Sequence, residues 1–218
     1  MRIAFVACCI VIAAVVAAFC PVARSVDASP EGTASSISPA MLGPAAEYCI
    51  SKGGEVDVRQ PYFNTNDNEQ NWLQLSGSRD FCKFTLKKDG SRIYVLLSTL
   101  YTEKPSLAAL AYYAQVPTGS CNGNPASCYC SLLGGTDLFG GVNLNGGGWV
   151  KKSDPIDTVL EACIFPDMSS IDSWGLAYHS ANIIRGKDLS KVLRFKNPYN
   201  GQAEDSRTEE VPFRQIAH

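Results

Sequence analysis

Pro44-Ala45-Ala46-Glu47-Tyr48-Cys49-Ile50-Ser51-Lys52-Gly53-Gly54 returns later in the chain as Pro125-Ala126-Ser127-Cys128-Tyr129-Cys130-Ser131-Leu132-Leu133-Gly134-Gly135. The shared Pro, Ala, Tyr, Cys, Gly and Gly each lie 81 positions after their match. Cys82-Lys83-Phe84 recurs at the same distance as Cys163-Ile164-Phe165. Two blocks of matches held at one spacing mark a structural unit written twice. Its opening is a short helix, because proline is accepted in a first helical turn, where its missing N–H costs nothing, and a glycine pair that begins nine residues after the proline ends the helix.

Outward from these blocks, Glu55 to Arg59 alternates polar and apolar residues, the pattern of a half-buried strand, which Pro61 is expected to end. The Asn-rich stretch 64–71 reads as a surface loop. Phe81 to Leu86 and Arg92 to Leu97, joined by Lys88-Asp89-Gly90-Ser91, read as a hairpin. Pro105 opens an apolar helix over 106–114. The second stretch repeats this order with a longer glycine loop (Gly140-Gly141, Gly146-Gly147-Gly148), a strand over 162–165, a turn at 167–170 and a closing helix over 171–178. Leu176-Ala177-Tyr178 matches Leu110-Ala111-Tyr112, which places fifteen inserted residues at Arg92 to Ser106. Val192 to Phe195 suggests a late strand. The expected fold is α+β: two tandem disulfide-stabilised modules, 41–117 and 118–195, each helix–strand–strand–helix.

Residues 1–28 hold one early arginine and then an almost unbroken apolar run, the pattern of a secretory signal peptide with cleavage after Ser25 or Ala28. Phe19 precedes Cys20 where a lipobox needs a small residue, and no stable membrane anchor is expected. Residues 29–40 read as a flexible leader and 196–218 as a polar, disordered tail. Six cysteines remain after residue 28, an even number suited to a disulfide framework in an exported chain. The matched blocks pair Cys49 with Cys82 and Cys130 with Cys163, which leaves Cys121 for Cys128. The chain-entropy account gives each longer bridge roughly 3 to 4 kcal/mol.

The full chain carries 19 basic and 21 acidic residues. Such a balance offers no electrostatic footprint for nucleic acid or anionic lipid. Cys121-x6-Cys128-x-Cys130 is not a zinc spacing, and the glycine loop lacks the Gly-Lys-Ser/Thr ending of a phosphate loop, so no metal or cofactor is expected. Asp167, Asp172 and His179 are the candidate hydrolase set, each with a plainer reading as turn residue, helix cap and packed histidine. Tyr62, Phe63, Trp72, Trp149 and Trp174 are candidates for a recognition surface, with some expected to fill the core.

Asn124-Pro125-Ala126-Ser127-x-Tyr129-Cys130, Gly134-Gly135, Cys163-x-Phe165-Pro166-Asp167-x-Ser169 and Trp174 together resemble the small secreted hemolysin-type domain of bacterial lipoproteins. The second stretch covers that pattern nearly end to end, and the first matches it more loosely. Met168 stands where the family has glycine, and the family's later cysteine pair is missing. The resemblance implies a small exported α+β fold and carries no established activity. The sequence therefore points to a secreted, non-enzymatic binding protein whose partner is an extracellular protein or glycan. A hydrolase using Asp167, Asp172 and His179 is the alternative, and membrane lysis ranks third.

Overall fold

The computed structural model describes residues 43–137 and 145–198. The signal segment at 1–28, the leader at 29–40, Gly140-Gly141 of the glycine loop and the tail beyond residue 198 lie outside the described residues. Among the described residues, five α-helices and eight strands run in chain order. They are α1 (Pro44–Ser51), β1 (Glu55–Phe63), β2 (Leu73–Gln74), β3 (Arg79–Thr85), β4 (Arg92–Leu96), α2 (Leu97–Tyr101), α3 (Leu107–Ala114), α4 (Pro125–Leu132), β5 (Gly147–Val150), β6 (Val159–Leu160), β7 (Ala162–Ile164), β8 (Ser170–Asp172) and α5 (Ser173–Ser180). The fold is mixed α/β around one antiparallel sheet of order β6-β5-β1-β3-β4-β8-β7, with β2 on β1.

The two matching blocks take up the same local structure. Pro44 and Pro125 each open a helix, Gly53 and Gly134 come after it with φ of 80° and 84°, and the N–H of Gly54 and of Gly135 donates to Cys49 and Cys130 at 2.9 Å each. Disulfides then tie α1 to β3 through Cys49–Cys82 and α4 to β7 through Cys130–Cys163, with Cα separations of 5.7 and 5.5 Å. Cys121–Cys128 closes the third bridge. Both glycines of each pair have a physical reason. The first takes a left-handed turn closed to most side chains, and the second lies so close to the disulfide that a Cβ there would overlap the sulfur of Cys82 or Cys163.

The described residues do not show the expected two tandem modules, because strands of both stretches share one sheet. Hairpins β3–β4 and β7–β8 abut through β4 and β8, where Val95 faces Ile171, while β5 and β6 from the second stretch extend the other edge through β1. A lone two-stranded hairpin is marginal in water, and sharing a sheet gives each hairpin a neighbour. The helix equivalence changes as well. α2 directly succeeds β4 and packs on α1, as α5 directly succeeds β8 and packs on α4, so α2 answers α5. α3 is the additional helix, and Arg92–Leu96, expected as inserted chain, is a strand that follows and pairs with β3 as β8 follows and pairs with β7. The N-terminus of α3 is held by Ser106 Oγ, which accepts from Ala109 N–H, by Asp167 Oδ2, which accepts from Leu107 N–H at 2.8 Å, and by Ser169 Oγ, which accepts from Ala108 N–H at 2.9 Å.

Two further expectations are corrected. Pro61 does not end β1: it ends the pairing with β3, and the strand runs on to Phe63 against β5, since proline removes a donor but keeps its carbonyl, which accepts from Leu75 N–H at 2.8 Å. Val192 to Phe195 is not a strand. Leu189–Lys191 forms a single 3-10 turn, after which Val192 and Leu193 bury into the helix-side core.

That core holds both long disulfides together with Phe84, Ile93, Val95, Leu100, Tyr112, Ile171 and Leu176. The opposite face is covered as the sheet coils, bringing Trp149 and Leu160 onto Phe81, Tyr94 and Leu96. Beneath this second layer the alternation of β1 is inverted: Asp57 and Arg59 are fully buried, whereas Val58 is 52% exposed. Arg59 donates to Asp57 at 2.7 Å, to Asp154 at 3.2 Å and to the carbonyl of Asp157 at 2.5 Å, and its guanidinium lies 4.8 Å from the Tyr94 ring centre. Lys151 reaches the other Asp57 oxygen at 2.5 Å. A buried ion is tolerated only when it is paired and fully hydrogen-bonded, and this network meets that condition.

Candidate functional site

α5 and its C-cap Ala181 place Trp174, Ala177, Tyr178 and Ala181 at the i, i+3, i+4, i+7 spacing that lines up side chains on a helix. Opposite stand Pro125, Cys128, Tyr129 and Leu132 of α4, and together with the 118–121 stretch they enclose a groove of about 780 Å³. The groove is mostly apolar. Leu132 and Ile183 are 55% and 50% exposed, and the Trp174 and Tyr178 rings sit 5.9 Å apart. The Cys121–Cys128 disulfide lines the same groove, and both its cysteines are half-buried while the other four are fully buried. Contiguous exposed apolar and aromatic surface of this kind marks places where a protein meets a ligand or a partner.

A smaller, polar pocket of about 360 Å³ adjoins it, and Trp174 and Tyr178 line both. Its polar walls are Arg92, Tyr94, Asp157, Glu161, Asp172 and Arg185. Arg92 is already engaged by Asp154 at 3.0 Å and Asp157 at 2.9 Å. Asp154 also accepts from the N–H groups of Ile156 and Asp157, and although burial opposes its charge, these bonds and Arg92 hold it far below the usual carboxylate range. Arg185 lies 5.1 Å from the Tyr178 ring centre and, among the described residues, forms no ion pair within 4.0 Å.

Glu161 and Asp172 differ from Asp154. Burial pushes Glu161 up, against two hydrogen bonds from the Asn124 amide at 3.0 and 2.9 Å. Burial pushes Asp172 up to about 7, against the pull of Arg185 and of backbone N–H groups at the start of α5, where Asp172 accepts from Trp174 N–H at 3.0 Å. Asn124 links the two helices' surroundings, because its side-chain oxygen caps α4 by accepting from Ala126 N–H while its amide holds Glu161.

The three residues of the hydrolase alternative do not converge on one pocket. Asp172 lines the polar pocket, whereas Asp167 and His179 are absent from its walls. Asp167 binds Ser169 and the start of α3: burial opposes its charge, and those bonds outweigh it and lower it. His179 stacks on Tyr112 with centroids 3.7 Å apart, its Nδ1 is buried without a hydrogen-bond partner, and burial lowers its basicity. Of the aromatic candidates, Trp149 and Tyr62 are buried, Phe63 and Trp72 are half-buried, with Trp72 stacked edge-on against Tyr62, and Trp174 alone lines the groove. Glu161, Arg185, Leu132, Tyr178 and Ile183 were not legible as site residues. The Trp174 to Tyr178 spacing on a short helix was the available signal.

No cluster of three or more His, Cys, Asp or Glu side chains suited to a metal ion occurs among the described residues, and none of their helices is long and apolar enough to cross a membrane. Comparison with protein-family models, with curated proteins and with solved structures gives no match to this chain.

Proposed function

We propose that this is a secreted, disulfide-stabilised protein that acts by binding an extracellular partner, and that its recognition surface is the groove between α4 and α5. The observation that carries the reading is the groove itself: about 780 Å³ of apolar space with Trp174 and Tyr178 as a wall and Leu132 and Ile183 exposed beside it. Three disulfides suit an oxidising compartment, in keeping with the apolar segment at 1–28 read as a signal peptide. The matching blocks, the equivalent disulfides and the meeting of β4 with β8 support an origin by duplication, with both copies built into one sheet. The resemblance to the hemolysin-type lipoprotein domain enters this proposal for fold and export only. Binding is favoured over hydrolysis because Asp167 and His179 are occupied elsewhere and Asp172 stands without them in its pocket.

The test is a quantitative capture from the extracellular fraction of the source cells with four immobilised forms of the chain. Wild type is expected to retain a component that Leu132→Asp and Trp174→Ala lose, while Val58→Asp, on an exposed position of β1, retains it. Equal retention by all four forms overturns the assignment of the groove.

A further inference from the structure

The groove and the polar pocket share Trp174 and Tyr178 as lining residues. Which of their groups are already satisfied decides what the two jointly select. Among the pocket's charges, Arg92 and Asp157 neutralise each other, and Asp157 also accepts from Tyr94 Oη at 2.8 Å. That leaves Glu161 and Asp172 against Arg185. Neither carboxylate forms an ion pair within 4.0 Å among the described residues, and the amide and backbone N–H donors that contact them carry no formal charge. With both carboxyls ionised the remaining balance is one negative charge, next to aromatic faces and aliphatic side chains. Trp174, Tyr178 and Arg185, the three residue types that dominate binding energy at protein interfaces, cluster at this junction.

Resting on the reading of the groove as the recognition surface, we propose that its occupant is a segment of a partner protein whose apolar side chains fill the α4/α5 groove and whose lysine or arginine enters the polar pocket between Glu161 and Asp172. A cation there replaces water around two poorly compensated carboxylates and meets the electron-rich face of Trp174, two favourable changes in a desolvated site. An acidic side chain in the same place adds a like charge beside both carboxylates. The selectivity is thus written as attraction for one sign and repulsion of the other.

A phage-displayed library of random twelve-residue peptides, selected on the full chain, tests this. The expected enriched peptides carry a lysine or arginine within a few positions of two or more apolar residues. Synthetic versions with glutamate in place of that basic residue bind about fivefold to tenfold more weakly. On the Glu161→Gln, Asp172→Asn double variant the apolar selection persists and the basic preference disappears; asparagine retains the cap that Asp172 supplies, and circular dichroism confirms the fold. Apolar enrichment lost in Trp174→Ala but blind to charge overturns the basic segment and leaves the groove assignment standing. Enrichment unaffected by Trp174→Ala overturns both. Absence of any enrichment, or retention of zwitterionic phospholipid vesicles in place of peptides, overturns the peptide occupant, while the capture experiment judges the groove independently.

Discussion

Met168 has φ of 65°, a conformation that costs an ordinary side chain about 1–2 kcal/mol, and its side chain is 54% exposed and so recovers little of this by packing. The equivalent turn in the first stretch, Asp89-Gly90-Ser91, uses glycine at φ 72° with the same aspartate-to-N–H bond. Met168→Gly is therefore expected to raise stability by about 0.5–1 kcal/mol, read as a higher urea midpoint with unchanged slope. Asp172 gives a second prediction. Its folded pKa of about 7 lies above the ordinary value of 3.8, so its contribution is fully present below about pH 4 and is lost as pH rises through 7. Asp172→Asn keeps the cap without the charge. It is expected to be more stable than wild type at pH 8 by about 2–4 kcal/mol and to lose that advantage by pH 4, measured by urea unfolding at both values. An advantage that does not change with pH would contradict the buried, uncompensated carboxylate. Of these residues, the turn at Asp167 and the cap at Asp172 were legible in the sequence, because both arise from local chemistry. Burial of Asp172 beside Glu161 was not, since it depends on where β6 and β7 end in the sheet.

At the scale of elements, the helix–glycine–strand grammar and all three disulfide pairings could be read from the spacing of identical residues, which fixes distance along the chain and little else. Pairing across the sheet was not legible. Alternation in β1 says which residues share a face but not which face is covered, and the coil of β5 and β6 over Phe81 buries Asp57 and Arg59 in place of Val58. The match of Leu110-Ala111-Tyr112 with Leu176-Ala177-Tyr178 misled for a related reason: small and aromatic residues suit any helix packed on this core, and only chain connectivity shows that α2 answers α5. The groove adds a prediction of its own. Cys121–Cys128 is the one bridge at its wall with half-buried cysteines, whereas the long bridges are sealed within the core. Under graded reduction of the native protein, then alkylation and mass spectrometry, Cys121 and Cys128 are expected to be labelled first, with Cys49, Cys82, Cys130 and Cys163 labelled only as the chain unfolds. Simultaneous labelling of all six would show that the groove wall opens only with the core.

Across the described residues, the matching sequence blocks and the single sheet separate scaffold from surface. The features common to both stretches, namely the disulfides, the glycine pairs and the hairpins, lie at the common core. The features they do not share supply the distinctive surfaces: the first has α3, and the second has the longer α5 with Trp174 and Tyr178 and the loop that brings Arg92, Asp154 and Asp157 together. Of the groove's walls, Trp174 has no aromatic counterpart in the first stretch, where Ser98 stands at the same place in α2 after β4, whereas α4 belongs to the matching blocks. The choice of groove required the packing of α4 on α5. The measurement that tests it most directly is photo-crosslinking from a benzoylphenylalanine placed at position 178, with the protein exposed to the extracellular fraction of its source cells. A discrete adduct is expected that vanishes when Trp174→Ala or Leu132→Asp is added and that does not form from the same probe at position 58. An adduct that survives both substitutions, or that forms equally from position 58, would contradict it.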